Sequence, residues 1–183
     1  MSTFFGAAIQ QGYVVPDIEA AMRQWIARGI GPFFIEHLRG IEAVIDGAPA
    51  RLELKAAFAY SGDQQIEVIA PLDGKPSIYS EFLRENPRGG LQHLAFWCDN
   101  IATTLERLAR GGAPYRVRQR YGDGHAYIDS VQQPGVMVQL MARTPQMEGL
   151  FHIIKDAAQH WDGITDPVRR IDWSTGAPVI HAA

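Results

Sequence analysis

The sequence has almost no cysteine and no long hydrophobic run, and both absences narrow the kinds of protein it can encode. Cys98 is the single cysteine among 183 residues, so an internal disulfide is excluded and a reducing compartment is expected. No apolar stretch approaches the length of a membrane span, and residues 1–5 lack the basic segment of a signal peptide. We therefore predict a cytoplasmic protein with no membrane partner.

The charge balance also lacks an excess of either sign. The chain has 17 Lys and Arg against 20 Asp and Glu, which gives a formal net charge of −3. This balance offers no electrostatic footprint for nucleic acid, and we expect no nucleic-acid partner. Arg116, Arg118 and Arg120 alternate along one predicted strand, which indicates either an anion-binding strand or a solvated strand face.

Two stretches of the chain repeat one pattern: a polar residue, an apolar run, a capping Asp or Asn, an Ile and then a helix. The first copy ends in Asp17-Ile18 and the second in Asn100-Ile101. Superposing these two ends places Gln10 on His93. Two polar residues therefore open two equivalent strands, and a polar residue at the mouth of a strand is a candidate site residue.

Hydrophobic periodicity predicts the same order of elements twice, a strand, a helix and three further strands. A short helix at residues 77–85, capped by Ser77, is expected to connect the two halves. A longer helix is expected from Met147 to about Trp161, and the tail beyond Asp172 is expected to be at most partly ordered. The predicted strands are residues 8–15, 32–38, 50–60, 64–70, 91–98, 114–119, 125–131 and 136–142, and the remaining helices are residues 17–28 and 100–110.

This order predicts an α+β fold built from two paired βαβββ modules, with a C-terminal helix. The first module is expected to span residues 1–75, the linker helix and second module residues 76–145, and the C-terminal extension residues 146–183. The sequence does not decide which of two sets of side chains on the second strand points into the interior. These are Phe34 with Glu36, or Phe33 and Ile35 with His37.

The two halves also match near their ends, where Glu67 is equivalent to Gln139. If the modules pair about a pseudo-twofold axis, Gln10, Glu67, His93 and Gln139 converge inside one curved sheet. Imidazole, carboxylate and amide oxygen together suit a divalent first-row cation in a mixed nitrogen and oxygen site. The alternative is a polar core in which the same side chains satisfy one another by hydrogen bonding.

The paired modules and their polar positions resemble the vicinal oxygen chelate superfamily. Its members include glyoxalase I, methylmalonyl-CoA epimerase, extradiol dioxygenases and the metal-free bleomycin-resistance proteins. The resemblance covers about residues 7–143 and is nearest to the glyoxalase-like, epimerase-like branch. It implies a curved, half-barrel mixed sheet around an open cavity. The stretches that carry it are residues 14–21 (VVPDIEAA), 66–72 (IEVIAPL) and 89–96 (GGLQHLAF).

The resemblance implies that the four metal-ligand positions fall on Gln10, Glu67, His93 and Gln139. The implied cofactor is a divalent ion, one of Ni, Co, Zn, Mn or Fe. The family usually has Glu at the fourth position, where it acts as ligand and catalytic base. Gln139 carries no charge and cannot accept a proton at neutral pH, so a metal-free site stays open as an alternative.

If Gln139 fills the catalytic position without acting as a base, another side chain must move the proton. Glu36 and His37 on the second strand and His125 after the Gly-rich loop are the candidates, because the equivalent edges line the cavity in this family. Each of these residues would otherwise be an ordinary surface residue.

Ile69, Trp97, Met137 and Met141 lie at period two from the proposed ligands, which indicates either an apolar cavity for an aromatic or acyl substrate or plain core packing.

Two functions stay open, a metal-assisted lyase, isomerase or epimerase acting beside a carbonyl, and a metal-free small-molecule-binding protein. An extradiol-type dioxygenase is disfavoured, because a 2-His-1-carboxylate site needs a His where Gln10 stands. The family resemblance also implies a homodimer.

Overall fold

The computed structural model describes residues 5–112, 115–129 and 135–182 of the chain. Every helix and strand predicted from the sequence occurs there, although the predicted residues 114 and 130–131 lie outside the described ranges. In chain order the elements are β1 (Gln10–Val14), α1 (Ile18–Ile26), β2 (Phe33–Ile45), β3 (Ala48–Ser61), β4 (Gln64–Pro71), α2 (Ile78–Glu85), β5 (Gly90–Cys98), α3 (Ile101–Arg110), β6 (Arg116–Tyr121), β7 (His125–Asp129), β8 (Met137–Ala142), α4 (Pro145–Gln159), β9 (Val168–Asp172) and β10 (Val179–Ala182).

The helices begin where the sequence places their caps. The side chain of Asp17 accepts a hydrogen bond from the backbone N–H of Ala20 at 2.8 Å, and that of Asn100 accepts one from Thr103 at 2.9 Å. Ser77 caps α2, as predicted. These side chains satisfy N–H groups that the first helical turn leaves unpaired, which fixes where each strand gives way to its helix.

The strands form one mixed sheet in the order β10-β9-β2-β3-β4-β1-β5-β8-β7-β6, and β2 also pairs with β6. Eight of the strands therefore close into a barrel, which corrects the expected half-barrel. Val44 pairs with Arg120 and Ile45 with Gln119 to make the closure. The predicted second strand was too short because Gly40, at a φ of +60°, makes a bulge in β2 and does not end it.

The two strands that open the halves lie side by side at the centre of the sheet. β1 runs antiparallel to β5, β1 pairs in parallel with β4, and β5 pairs in parallel with β8. The polar residues of these four strands therefore project from neighbouring positions. This arrangement is the part of the fold that builds the site.

Helix α4 packs its apolar stripe into the barrel. Leu150, Phe151 and Ile154 are buried in the same cluster as Phe58 and Ile69 of the inner strand faces. The stripe predicted from Met147 to Trp161 is thus a packing face, and it covers the barrel interior. No helix in the three described ranges is both long and apolar enough to cross a membrane.

The C-terminal segment adds two strands to the sheet, and the second, at residues 179–182, lies in the tail beyond Asp172. β9 pairs in parallel with residues 33–35 at the start of β2, and β10 pairs with β9. The start of β2 offers a free edge, because β6 pairs only with its far end. The Arg169 guanidinium lies 5.5 Å from the centre of the Phe34 ring and fastens β9 further.

Arg118 joins three parts of the barrel through one guanidinium group. It contacts Asp46 after β2 at 3.0 Å, Glu81 of α2 at 2.6 Å and Asp129 of β7 at 3.1 Å. Its neighbours Arg116 and Arg120 are paired with carboxylates too. The three arginines are therefore occupied by the chain's own acids, which argues against an anion-binding strand.

We predict that Arg118→Met lowers the free energy of unfolding by about 1–3 kcal/mol, because it removes the one cation that joins Asp46, Glu81 and Asp129. Urea unfolding measures this change. Arg51→Met is the matched control, since Arg51 makes a single ion pair with Glu42 at the exposed surface and should cost less than about 1 kcal/mol. Equal losses in the two variants would contradict the bridging role of Arg118.

Candidate functional site

A cavity of about 550 Å³ lies inside the barrel, beneath α4. Most of its wall is apolar, with a band of polar side chains along the strands at its floor. Apolar contributors include Leu38, Ile41, Leu54, Phe58, Leu150 and Phe151, and polar contributors include Gln10, Glu36, Gln65, Glu67, Tyr79, Tyr121, His125, Tyr127, Gln139 and Trp173.

Gly12 allows His93 and Glu67 to meet across a strand. In the sheet, Gly12 lies directly opposite Glu67 of β4 on one side and His93 of β5 on the other. Those two outer strands are about 10 Å apart, since each neighbouring pair is separated by about 4.8 Å. Nevertheless Nε2 of His93 lies 3.0 Å from Oε2 of Glu67. A Cβ on Gly12 would be only 1.9 Å from Cε1 of His93, so the imidazole occupies the space of the missing side chain.

Gln92 determines which nitrogen of His93 carries a hydrogen. The side-chain N–H of Gln92 donates to the carbonyl of Ile78 at 3.3 Å, which directs its Oε1 to Nδ1 of His93 at 2.7 Å. Because Oε1 only accepts, Nδ1 must donate. In a neutral imidazole the lone pair on Nε2 then faces the carboxylate of Glu67. A proton or a cation must lie between two such lone pairs.

Two buried amides, those of Gln10 and Gln139, place side-chain oxygens at the same floor. The side-chain N–H of Gln10 donates to Gln65 at 2.6 Å, and that of Gln139 donates to the hydroxyl of Tyr127 at 2.9 Å. The Oε1 atoms of Gln10 and Gln139 are buried and have no hydrogen-bond partner among the described residues. Buried polar atoms are normally paired, so these oxygens are available to a ligand.

The donor set fits a divalent metal of the first transition row. It comprises one imidazole, one carboxylate and two amide oxygens, and the N–H on the far side of His93 is held by an acceptor, as in known metal sites. Within the described ranges no group of three His, Cys, Asp or Glu side chains is placed to hold a metal. Any cation here would therefore depend on the amide oxygens.

Glu36 reaches the same cavity from β2. Burial raises its pKa from the ordinary 4.5 to about 7, a hydrogen bond from Trp173 lowers it, and the charge of Glu67 raises it. The indole N–H of Trp173 donates to Oε2 of Glu36 at 2.7 Å. This carboxyl group can therefore exchange a proton near neutral pH.

His125 lies beside Gln139 at the edge of the cavity. Gln139 donates to Nδ1 of His125 at 3.3 Å, so the hydrogen of the neutral ring is on Nε2. Burial lowers the pKa of His125, the charge of Glu67 raises it, and nearby His93 lowers it. The lowered pKa favours a neutral imidazole at pH 7.

The structure brings most of the predicted site residues together. Gln10, Glu36, Glu67, Ile69, His125, Gln139 and Met141 line the cavity, and His93 contacts Glu67 from behind. Three residues do not line it. His37 points the other way from Glu36 along β2 and pairs with Glu53 at 2.7 Å, which corrects its placement. Trp97 packs against Phe151 with the two rings tilted by 49°, and Met137 contacts Gln92.

Sequence reasoning did not find the tyrosines of the cavity wall, Gln92 or Trp173. Tyr127 pairs directly with Gln139 across β7 and β8, so a correct register for this hairpin would have found it. Gln92 is the neighbour of His93 and has its side chain turned back to the same ring. Trp173 lies in the segment that was expected to be poorly ordered, so no signal pointed to it.

A model of the Glyoxalase/Bleomycin resistance protein/Dioxygenase superfamily matches residues 9–145. Among curated protein sequences no significant match is found. The match ends just inside α4, so the C-terminal part of the cavity wall lies outside it.

Several solved structures share the fold. Methylmalonyl-CoA epimerase from Mycobacterium tuberculosis is 19% identical with a TM-score of 0.57, over 81% of this chain and 95% of that one. A methylmalonyl-CoA epimerase in complex with methylmalonyl-CoA and NH4+ is 15% identical with a TM-score of 0.56, over 77% and 96%. A variant of the Streptomyces coelicolor epimerase in complex with 2-nitronate-propionyl-CoA is 16% identical with a TM-score of 0.55, over 77% and 96%. At these identities the likeness concerns the fold.

We predict that Gly12→Ala lowers the free energy of unfolding by about 1–3 kcal/mol, because the new methyl group displaces the His93 ring from Glu67. Chemical unfolding measures the loss. Gly149→Ala in α4 is the control: its Cβ would meet nothing within 4 Å, and removing a helical glycine should stabilise by up to about 1 kcal/mol. An unchanged stability in Gly12→Ala would contradict the close approach.

Proposed function

Because the chain belongs to the Glyoxalase/Bleomycin resistance protein/Dioxygenase superfamily, we propose that it is an enzyme that moves a proton beside a substrate carbonyl, as a lyase, isomerase or epimerase. A divalent cation would be held by Gln10, Glu67, His93 and Gln139. This proposal builds on two βαβββ halves that face each other, so that each half supplies two of the four side chains.

The observation that supports it most directly is the hydrogen bonding of His93. Gln92 directs the N–H of Nδ1 away from the cavity floor, and the Nε2 lone pair is left facing the carboxylate of Glu67 at 3.0 Å. This arrangement suits a ligand pair that shares a cation. The unpartnered Oε1 atoms of Gln10 and Gln139 provide the remaining oxygens on the same floor.

When bound, the cation would polarise a substrate carbonyl as a Lewis acid and so acidify the adjacent C–H. Glu36 is the proposed base. Its carboxylate takes the proton from the carbon beside the carbonyl, and the electron pair of that C–H bond moves toward the carbonyl. Trp173 orients the carboxylate through Oε2 and leaves Oε1 for the substrate.

The proton then returns from the carboxylic acid of Glu36, either to the other face of the same carbon or to a neighbouring atom. A pKa of about 7 suits a group that must both take and give back a proton near neutral pH. His125 is a second proposed donor through its Nε2–H, since Nδ1 is occupied by Gln139. Gln139 itself acts only as an oxygen ligand and a hydrogen-bond donor.

A second function is a metal-free protein that binds a hydrophobic small molecule in the same cavity. The observation that favours it is the weakness of the ligand set, which contains one imidazole, one carboxylate and no group of three acidic, His or Cys side chains in the described residues. A largely apolar cavity of about 550 Å³ is adequate for binding alone. Metal analysis separates the two functions.

We predict that protein purified without chelator contains a divalent metal, and that Ni, Co, Zn, Mn or Fe raises the melting temperature of metal-depleted protein. Glu67→Gln and His93→Ala should abolish both effects, because each removes one of the two strongest ligands. Cys98→Ser should keep them, since Cys98 does not line the cavity. Elemental analysis and melting curves are the measurements. No metal and no rise in melting temperature would favour the binding protein.

We predict that Glu36→Gln removes a pH dependence of stability. Glu36 has an ordinary pKa of 4.5 and a folded-state pKa of about 7, so between these values the folded state holds a proton that the unfolded state has lost. Stability must therefore fall as pH rises from about 4.5 to 7. Glu36→Gln escapes this fall, and its advantage in free energy of unfolding should grow by about 1–3 kcal/mol between pH 5 and pH 8.

The control is Glu85→Gln, since Glu85 is exposed and should follow the wild-type pH profile. Trp173→Phe removes the hydrogen bond that lowers the pKa of Glu36, so it should move the fall in stability to higher pH. Trp25→Phe, outside the cavity and against Tyr13, should not. Parallel profiles for wild type and Glu36→Gln would contradict the raised pKa.

A further inference from the structure

Three tyrosine hydroxyls meet on one wall of the cavity and are not used by the proposed proton transfer. The hydroxyl of Tyr79 lies 3.0 Å from that of Tyr127 and 3.2 Å from that of Tyr121. All three residues line the cavity. The ring of Tyr127 also meets the ring of His93 edge-on at 5.2 Å, so this cluster adjoins the proposed metal ligands.

Amide groups occupy both ends of the hydroxyl chain. The backbone N–H of Ile78 donates to Oε1 of Gln119, which directs the Gln119 side-chain N–H to the oxygen of Tyr121 at 2.7 Å. At the other end Gln139 donates to the oxygen of Tyr127 at 2.9 Å. The two outer oxygens therefore act as acceptors toward the protein.

One of the three hydroxyl hydrogens has no acceptor within the tyrosine cluster. Three hydroxyl groups carry three hydrogens, and the two contacts between them use two. The count is the same in whichever direction those two bonds run. No other acceptor among the described residues takes the third hydrogen, so one O–H faces the cavity. A tyrosine hydroxyl ordinarily keeps its hydrogen at neutral pH, so each of the three is a donor.

The charges of the cavity restrict what this O–H can bind. Glu36 and Glu67 line the cavity, and among its described lining residues there is no Lys or Arg. Glu42 also borders it, but its side chain is exposed and paired with Arg51 at 2.6 Å. A ligand carboxylate would meet Glu36 and Glu67 and no Lys or Arg of the cavity wall, whereas a neutral carbonyl oxygen would accept the hydrogen without that repulsion. Phe151 and Leu150 of α4 also line the cavity and give it apolar surface suited to a hydrocarbon or aromatic body.

We propose that the Tyr79–Tyr121–Tyr127 cluster binds a neutral carbonyl oxygen of an apolar, ring-bearing ligand. This inference deepens the proposed function and rests on it for the cavity being the site of chemistry. It names the substrate class as neutral aromatic or alicyclic ketones, aldehydes or esters. The proposal excludes substrates that present a free carboxylate in the cavity.

Three probes of one size test the proposal on the full-length protein: 2-acetylnaphthalene, 2-ethylnaphthalene and 2-naphthoate. The ketone should bind about tenfold more tightly than the hydrocarbon, because it gains one buried hydrogen bond. The naphthoate should bind more weakly than the ketone. Calorimetry or ligand fluorescence gives the dissociation constants, on protein as purified and after dialysis against EDTA.

The decisive variant is the triple change Tyr79→Phe, Tyr121→Phe and Tyr127→Phe, which keeps the rings and removes the hydroxyls. It should bind the hydrocarbon as wild type does and lose the preference for the ketone. Tyr13→Phe is the matched control, since that hydroxyl bonds to Gln11 away from the cavity, and it should keep the tenfold preference. A preference for the ketone that survives in the triple variant overturns the proposal.

If the triple variant does not fold, a measurement on the wild-type protein replaces it. Wild-type protein is labelled with carbon-13 at the tyrosine Cζ atoms, and its NMR spectrum is recorded with each probe. The ketone should shift the signals of Tyr79, Tyr121 or Tyr127, whereas the hydrocarbon should not. Identical spectra with the two probes overturn the proposal. The measurements after dialysis against EDTA distinguish failure of the tyrosine site from failure of the proposed function. A ketone preference lost with EDTA assigns the oxygen to a metal, which overturns the tyrosine site and leaves the proposed function intact. A preference retained in protein without metal supports the site, whatever the outcome of the metal analysis.

Discussion

The missing side chain of Gly12 is the constraint on which the site depends. Glu67 and His93 flank this glycine on the two neighbouring strands, and any larger residue would stand between them. The 3.0 Å contact between their side chains therefore follows from the central pairing of β4, β1 and β5. That pairing is in turn what brings the two halves of the chain together, so the barrel and the site share one origin.

A polar floor in an apolar barrel is stable only when its hydrogen bonds are nearly complete. Gln92 is held by the Ile78 carbonyl, Gln119 by the Ile78 N–H, and both amides direct a neighbouring cavity group. The first residue of α2 thus orients the His93 ring and the tyrosine chain together. The amide oxygens of Gln10 and Gln139, which are buried without partners, mark where a ligand would complete the network.

Caps and hydrophobic periodicity predicted the elements, because both act over short distances along the chain. The internal repeat indicated the polar floor, because the repeated strands β1 and β5 are neighbours in the sheet. The repeat and the family resemblance both indicated Gln10, Glu67 and Gln139, and all three line one cavity. The closure of the barrel was not predictable in this way, because it depends on a bulge at Gly40 and a two-residue pairing between distant strands. The tyrosine cluster was missed for the same reason, since its members come from α2, β6 and β7 and meet only in the folded chain.

The C-terminal extension decides how far the likeness to known epimerases can be carried. Residues beyond 145 lie outside the superfamily match, yet Leu150, Phe151 and Ile154 form one side of the cavity and Trp173 holds the proposed base. A barrel shared at 15–19% identity places the strands, whereas this segment shapes the space above them. The ligand preference must therefore be argued from the chain's own cavity wall. With its acids, its spare tyrosine hydrogen and its apolar cover, that wall fits a neutral carbonyl compound better than an anionic one.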